Sequence, residues 1–363
     1  MSSLRLEVNG QEYDGFTDIS VFKSMETLVG TFSFGTTTDR KLSYPFRKGD
    51  PSRVMVEGIA VITGYIDGFR FSYSANAHDI LVFGRDKTSD IADNTIKGNM
   101  FFNTPVSLEN IIRLATAATG INIPIINNAG SIAEFAKSEL IAGKTGQNMF
   151  DYLEQHLQQR QVFMTTDGNG NISLIRGGDQ ELLPVALINS INEPNVNILS
   201  AISNDNDENR YNRYQIKSQG NPTSGLDDAD LTGKVGTAYD EAIRSTRFFE
   251  KEAKTRSDVQ TVEDRAKWEA NIKRTRGFEY SCTVRGYENS PGVIWEPNKL
   301  VRVKDDFAEV DSTLLIKDVE YNLSPTGGST TTLTMVNKDA FTLIASQNAV
   351  EALFNKTGLP GLT

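Results

Sequence analysis

Two histidines, one cysteine and 47 carboxylates bound the chemistry open to this 363-residue chain. His78 stands in Ala77-His78-Asp79, where an imidazole beside a carboxylate could act as a general base, although a lone loop histidine is ordinarily just solvated. His156 has Asp151 and Glu154 within helical reach, the spacing of a surface contact, with no Gly-x-Ser-x-Gly nucleophile turn before it. Cys282 alternates with apolar positions, as a buried inert thiol does. Gly143-Lys144-Thr145 resembles the end of a phosphate-binding loop, but that loop needs a glycine five residues earlier, where Ser138 stands. Asp167-x-Asn169-x-Asn171 mimics the first ligands of a calcium loop, yet Gly178 occupies the place of the bidentate glutamate. A hairpin turn accounts for those residues better.

Paired carboxylates could hydrolyse a glycosidic bond if burial kept one of them protonated. The densest groups, Asp205, Asp207 and Glu208, then Asp227, Asp228 and Asp230, lie in polar stretches where nothing would raise a pKa. No catalytic, cofactor or metal residue is therefore assigned, and the expectation is a protein without enzymatic activity. One cysteine cannot form an internal disulfide, and with two histidines it cannot complete a Cys/His zinc site. The balance of 37 Lys and Arg against 47 Asp and Glu, net −10, argues against a surface that grips duplex DNA. No apolar run approaches the roughly 20 residues needed to span a bilayer, and Met1-Ser2-Ser3-Leu4-Arg5 is no secretory signal.

The elements that would carry any function are mainly strands. Over residues 1–92, Leu4, Leu6 and Val8 alternate before the turn Asn9-Gly10, and further alternating runs follow through Ile80–Phe83. Short loops and no helical pattern predict a small antiparallel barrel or sandwich. Residues 93–188 read as an α+β domain. Thr104-Pro105 looks like a helix start, Leu108, Ile111, Ile112, Ala115 and Ala118 share a face, Gly120 stops it, and a second helix runs from about 147 to 159 before a hairpin at 167–170. Residues 189–339 predict a second barrel, interrupted by a long loop at 219–240 and by a helix at 257–276 opened by the capping box Ser257-x-x-Gln260. Residues 340–363 are expected to form a C-terminal extension with a weakly amphipathic helix carrying Phe341, Ile344, Leu353 and Phe354. From Arg244 to Arg276 ten Lys and Arg meet six Asp and Glu, a local +4, and Arg244, Arg247 and Lys251 are assigned to a contact with an acidic neighbour such as another copy of the chain.

One internal correspondence outweighs the motifs. Arg53–Val56, Ile66–Phe71 and Ile80–Phe83 match Val301–Val303, Ile316–Tyr321 and Leu333–Val336 in order and alternation, with Ile66, Phe69 and Phe71 opposite Ile316, Val319 and Tyr321. Any two antiparallel meanders share some of this alternation; the sharper reading is a duplicated barrel around a central α+β unit.

The order of motifs resembles a known family. Leu6-Glu7-Val8-Asn9-Gly10, Tyr13-x-Gly15-Phe16, Gly30-Thr31-Phe32-Ser33-Phe34, Gly64-Tyr65-Ile66-Asp67 and, most specifically, Gly84 through Asp93 resemble the N-terminal barrel of the baseplate hub proteins of Mu-like contractile-tailed phages. Val284-Arg285-Gly286-Tyr287, Trp295-x-Pro297-Asn298 and Asp318-Val319-Glu320-Tyr321 resemble that family's second barrel. The resemblance implies a homotrimer in which two barrels per chain make a pseudo-sixfold ring. That ring would join a hexameric tail tube, or its initiator, to a trimeric central spike, touch other baseplate wedge proteins, and surround a channel that DNA passes without specific binding. It implies a place in the virion's tail baseplate after assembly in the host cytoplasm. Gly84, Arg85 and Asp86 are expected to be a structural brace, Gly84 allowing a close turn and Arg85 pairing with Asp86. The extension, through Phe341, Ile344, Leu353 and Phe354, is expected to meet a neighbour or the spike. The alternatives are a tail-associated peptidoglycan hydrolase and a carbohydrate-binding β module, the latter disfavoured because the only tryptophans, Trp268 and Trp295, sit where packing explains them.

Overall fold

A computed structural model describes residues 3–38, 46–74, 78–103, 105–136, 141–177, 181–218, 234–252 and 259–338. Phe341, Ile344, Leu353 and Phe354, most of the expected 219–240 loop, and the Ser257 capping box lie outside the described residues.

Period-two alternation produces strands at the N-terminal end: β1 (Leu4–Val8), β2 (Gln11–Tyr13), β3 (Asp18–Ser24), β4 (Thr31–Thr38), β5 (Pro51–Val56), β6 (Ile59–Tyr73) and β7 (His78–Asp86). Asn9 and Gly10 both take positive φ, 54° and 77°, as a tight β1–β2 turn requires. A short helix, α1 (Ser89–Asp93), leads into the α+β region: β8 (Met100–Phe101), α2 (Leu108–Ala117), β9 (Ile125–Asn127), β10 (Ala142–Gly143), α3 (Met149–Gln159), β11 (Phe163–Thr166) and β12 (Ile172–Ile175). The first long helix begins later than the Thr104-Pro105 signal suggests, because Ser107 is the residue whose side chain accepts from the Asn110 N–H. Ile111, Ile112, Leu153 and Leu157 close a hydrophobic cluster of their own with Phe135 and Ile172.

After β13 (Leu187–Asn189) and β14 (Ile198–Asp205) comes a segment expected to belong to a barrel, which instead builds a separate sheet. Here β15 (Arg213–Lys217) pairs antiparallel with β16 (Val235–Tyr239) and parallel with β17 (Phe248–Glu252). The expected loop therefore ends by residue 234. Tyr214 and Ile216 point into a small core with Val262, Ala266 and Ala270 of the following helix α4 (Val259–Arg276). Among the described residues, those within 206–277 group with 176–177 and 338 as one compact unit, and those within 3–175, 181–205 and 278–337 form the other.

In the larger unit the chain continues through β18 (Phe278–Arg285), β19 (Glu288–Ser290), β20 (Val293–Ile294), β21 (Leu300–Asp305), β22 (Val310–Ser324) and β23 (Gly328–Asn337). Two barrels are not what these strands make: among the described residues both ends share one thirteen-stranded sheet, in the order β14-β18-β23-β22-β3-β4-β7-β6-β5-β1-β2, with β21 joining β22 to β13. The join is β3 against β22, from Asp318 opposite Ser24 to Leu323 opposite Ile19. One core runs beneath it, holding Leu6, Val21, Phe34, Val54 and Val82 together with Tyr280, Val301, Ile316, Tyr321 and Leu333.

Candidate functional site

The duplication read from the sequence recurs in hydrogen bonds. Strand β6 is fifteen residues long, and its register shifts between Ile66 and Gly68, leaving Asp67 as the extra residue of a bulge. Strand β22 is also fifteen residues long and shifts between Ile316 and Asp318, leaving Lys317. Just before each bulge the same clasp closes. Gly49 donates to the Ile66 carbonyl at 2.8 Å and Ile66 donates to Asp50 at 3.0 Å, while Asn298 donates to Ile316 at 2.8 Å and Ile316 to Lys299 at 2.9 Å. Gly49 and Asn298 both sit at positive φ, 85° and 64°.

Around the first bulge lies the Gly84-Arg85-Asp86 run. Successive strand residues face opposite ways, so Arg85 does not pair with Asp86. The Arg85 guanidinium donates through Nε to Asp67 at 2.5 Å and bidentately to Asp93 of α1 at 3.0 and 2.7 Å. It thus ties β7 to the β6 bulge and to the helix that opens the α+β region, and it holds the Asp93 carboxyl below its usual range. On the other side Asp86 is fully buried. Its Oδ2 accepts from the Gly30 N–H at 2.5 Å, its Oδ1 from the Thr88 N–H at 2.9 Å, and the Thr88 hydroxyl lies against both Oδ1 and the Leu28 carbonyl. Burial pushes the Asp86 carboxyl up to about 6 against the pull of those hydrogen bonds and of Lys23. Gly84 is not at a turn. A Cβ there would come within 2.2 Å of the Tyr65 carbonyl oxygen and 2.4 Å of the Phe32 ring, so its missing side chain is what lets β6 and Phe32 approach.

The second bulge carries the opposite charge. Lys317 donates to Glu279 at 2.6 Å, with Asp318 at 3.4 Å and Glu26 at 4.0 Å; burial lowers its pKa, but these carboxylates outweigh the burial and raise it. Nearby, the buried Tyr280 hydroxyl donates to Asp305 at 2.6 Å.

The chemistry-bearing residues do not converge. His78 is exposed and stacks on Tyr73, whereas His156 is buried edge-on between Phe135 and Tyr152. Cys282 is buried with its thiol pushed up to about 12 by desolvation. Asp167 caps its own hairpin, accepting from Asn169 and Asn171 N–H groups at 2.9 and 2.8 Å. That hairpin tip docks on β6, where Thr63 donates to the Gly168 carbonyl at 2.8 Å. Among the described residues no group of three His, Cys, Asp or Glu is placed to hold a metal, and no helix is long and apolar enough to cross a membrane. In the smaller unit Arg247 donates to the Glu208 and Arg210 carbonyls, Lys251 pairs with Glu269, and Arg244 is exposed. Two of the three expected contact cations are thus engaged within their own unit, a use that sequence charge counts do not reveal.

Comparison with known proteins places this geometry. The N-terminal domain described for the Mu phage baseplate assembly protein GpP-like family matches residues 3–86, and the fourth domain of Mu phage baseplate assembly protein GpP matches residues 258–344. Baseplate hub protein gp44 of Escherichia phage Mu is 24% identical over 352 residues, covering 94% of this chain and 89% of that protein. The chain is similar to the baseplate hub proteins of Mu-like phages. Among solved structures, the 43 kDa tail protein of prophage MuSo2 from Shewanella oneidensis superposes with a TM-score of 0.78 at 25% identity, covering 94% of this chain and 99% of that one. The tail protein from Neisseria meningitidis MC58 gives the same TM-score at 18% identity, covering 94% and 98%. The matched first domain ends at Asp86, so the brace residues lie at its boundary, and the matched fourth domain contains the β22 bulge.

Proposed function

We propose that this protein is a non-enzymatic baseplate hub of a contractile phage tail. Three copies form a ring in which the β6 and β22 repeats of each chain supply six similar positions, so that one face meets a sixfold tail tube or its initiator and the other a threefold spike. Wedge proteins gather outside, and DNA passes through the centre. The observation that carries this reading is the long bulged strand made twice, with the same clasp before the same bulge. A chain that presents one local geometry twice can match six with three. Gly84, Arg85 and Asp86 brace the first repeat against the α+β region. Arg244 and the extension residues Phe341, Ile344, Leu353 and Phe354 are assigned to contacts with partner proteins. The placement in the virion, after assembly in the host cytoplasm, follows from the same reading, as does the fourfold division at residues 92, 188 and 339.

The test is the mass of the full chain in solution, alone and with the cognate spike protein. A trimer in either condition is the expected result; a monomer in both overturns the proposal. Purified protein is expected to release no product from peptidoglycan.

A further inference from the structure

The repeat leaves two strand edges without a strand partner among the described residues, and they complement each other. In the second half β22 forks: its first part pairs with β21 and its last part, from Asp318 to Leu323, with β3. In the first half β6 pairs with β5 up to Tyr65, and from Gly68 to Tyr73 it pairs with β7 alone. The equivalent of β3 is found by following the ladder. Ile19 opposes Phe34, which opposes Val82, which opposes Phe69; in the other half Ala201 opposes Cys282, which opposes Leu333, which opposes Val319. Strand β14 therefore stands to β18 as β3 stands to β4. Yet β14 ends the sheet, pairing with β18 only.

We infer that β14 of one copy pairs antiparallel with the last part of β6 of the next copy, repeating between chains the β3–β22 junction seen within one. This deepens the hub reading above and rests on it. The internal junction sets the register. Because Ile19, Ser20 and Val21 oppose Leu323, Asn322 and Tyr321, Ala201, Ile202 and Ser203 of one copy oppose Tyr73, Ser72 and Phe71 of its neighbour. At each of these pairs a large side chain meets a small one. The surfaces are what an unmade junction would show: Phe71 is 68% exposed, Tyr73 83% and Ile202 67%, whereas Tyr321, the counterpart of Phe71, is fully buried. A bare edge bearing such side chains templates aggregation unless another strand covers it. The contact joins different patches, so it propagates head to tail and ends only by closing a ring.

Paired antiparallel residues lie about 4.5–5.5 Å apart at Cα, within disulfide range. The test is therefore the full chain carrying Ser72→Cys with Ile202→Cys, both exposed sites, under mild oxidation; Cys282 is buried and does not compete. The expected result is covalent multimers on a non-reducing denaturing gel. Each single variant, and the off-register pair Ser72→Cys with Ser203→Cys, should give at least tenfold less. If light scattering finds a trimer but the 72/202 pair does not cross-link, this pairing is wrong and the hub reading survives. Cross-linking of a single variant as strong as the double also overturns it, since that needs like edges to meet. A monomer with and without the spike overturns both.

Discussion

A fully buried carboxylate that accepts two backbone N–H bonds is a point where pH reaches the fold. In the unfolded chain Asp86 titrates near 3.8 and in the folded chain near 6, so the native state holds its proton more tightly. Its contribution is therefore fully present below about pH 4 and is lost as pH rises through 6, a swing of about 3 kcal/mol. Asp86→Asn should flatten that part of a stability-versus-pH curve measured by urea unfolding; an unchanged slope between pH 4 and 6.5 would refute the assignment. Gly84 makes a sharper claim. With a backbone oxygen 2.2 Å from the new Cβ, Gly84→Ala should cost about 3 kcal/mol or prevent folding, whereas Gly35→Ala, whose Cβ would make ordinary 3.4 Å contacts, should stay within about 1 kcal/mol. Thermal melting of the two variants decides the matter. Arg85→Ala should lose about 1–2 kcal/mol, discounted because Asp93 is largely exposed, and Arg85→Lys should recover only part of it, since an ammonium cannot bridge Asp93 and Asp67 as the planar fork does.

At the scale of elements, the hairpin of β11 and β12 is held to β6 by a backbone contact that tolerates no side chain: a Cβ on Gly168 would sit 1.8 Å from the Ala60 carbonyl oxygen. Gly168→Ala should lift the hairpin tip, seen as faster hydrogen exchange around residues 163–175 while β22 and β23 keep their protection; unchanged exchange there relative to the parent chain would count against docking. Asp167, Asn169 and Asn171 were legible in the sequence as a turn, because side-chain capping is local. The surface they dock on was not, because Ala60 and Thr63 are a hundred residues away. The alternation of Ile66, Phe69 and Phe71 with Ile316, Val319 and Tyr321 was legible too, and so was the duplication. What stayed hidden was the partner of β3: nothing in Ile19–Ser24 says it will pair with Leu323–Asp318 rather than close a barrel, since edge choice depends on strands three hundred residues apart. The Arg85–Asp86 pairing failed for a simpler reason, the two-residue period of a strand. Within the 189–339 stretch that reads as a barrel, Tyr214 and Ile216 belong to a different sheet because alternation marks a half-buried strand without naming its sheet.

For the whole molecule the decisive quantity is charge. A protein that encloses moving DNA must not hold it, and grip on a phosphate backbone grows with each Lys or Arg placed against it. This chain is net −10, and three copies would carry three times that. Several of its basic residues are also paired internally. Arg85 is committed to two aspartates, Lys317 to Glu279 and Asp318, Arg210 to Asp207 and Asp240, and Lys251 to Glu269. Cations neutralised in this way release few counterions when DNA arrives and so add little to non-specific binding. A labelled duplex titrated with assembled protein at physiological salt should therefore show no change in anisotropy up to about 10 μM, the middle of the ordinary range for non-specific DNA binding. Saturable binding below that concentration, weakening steeply as salt is raised, would mean that a basic wall faces the channel and that the hub grips what it is proposed to let pass.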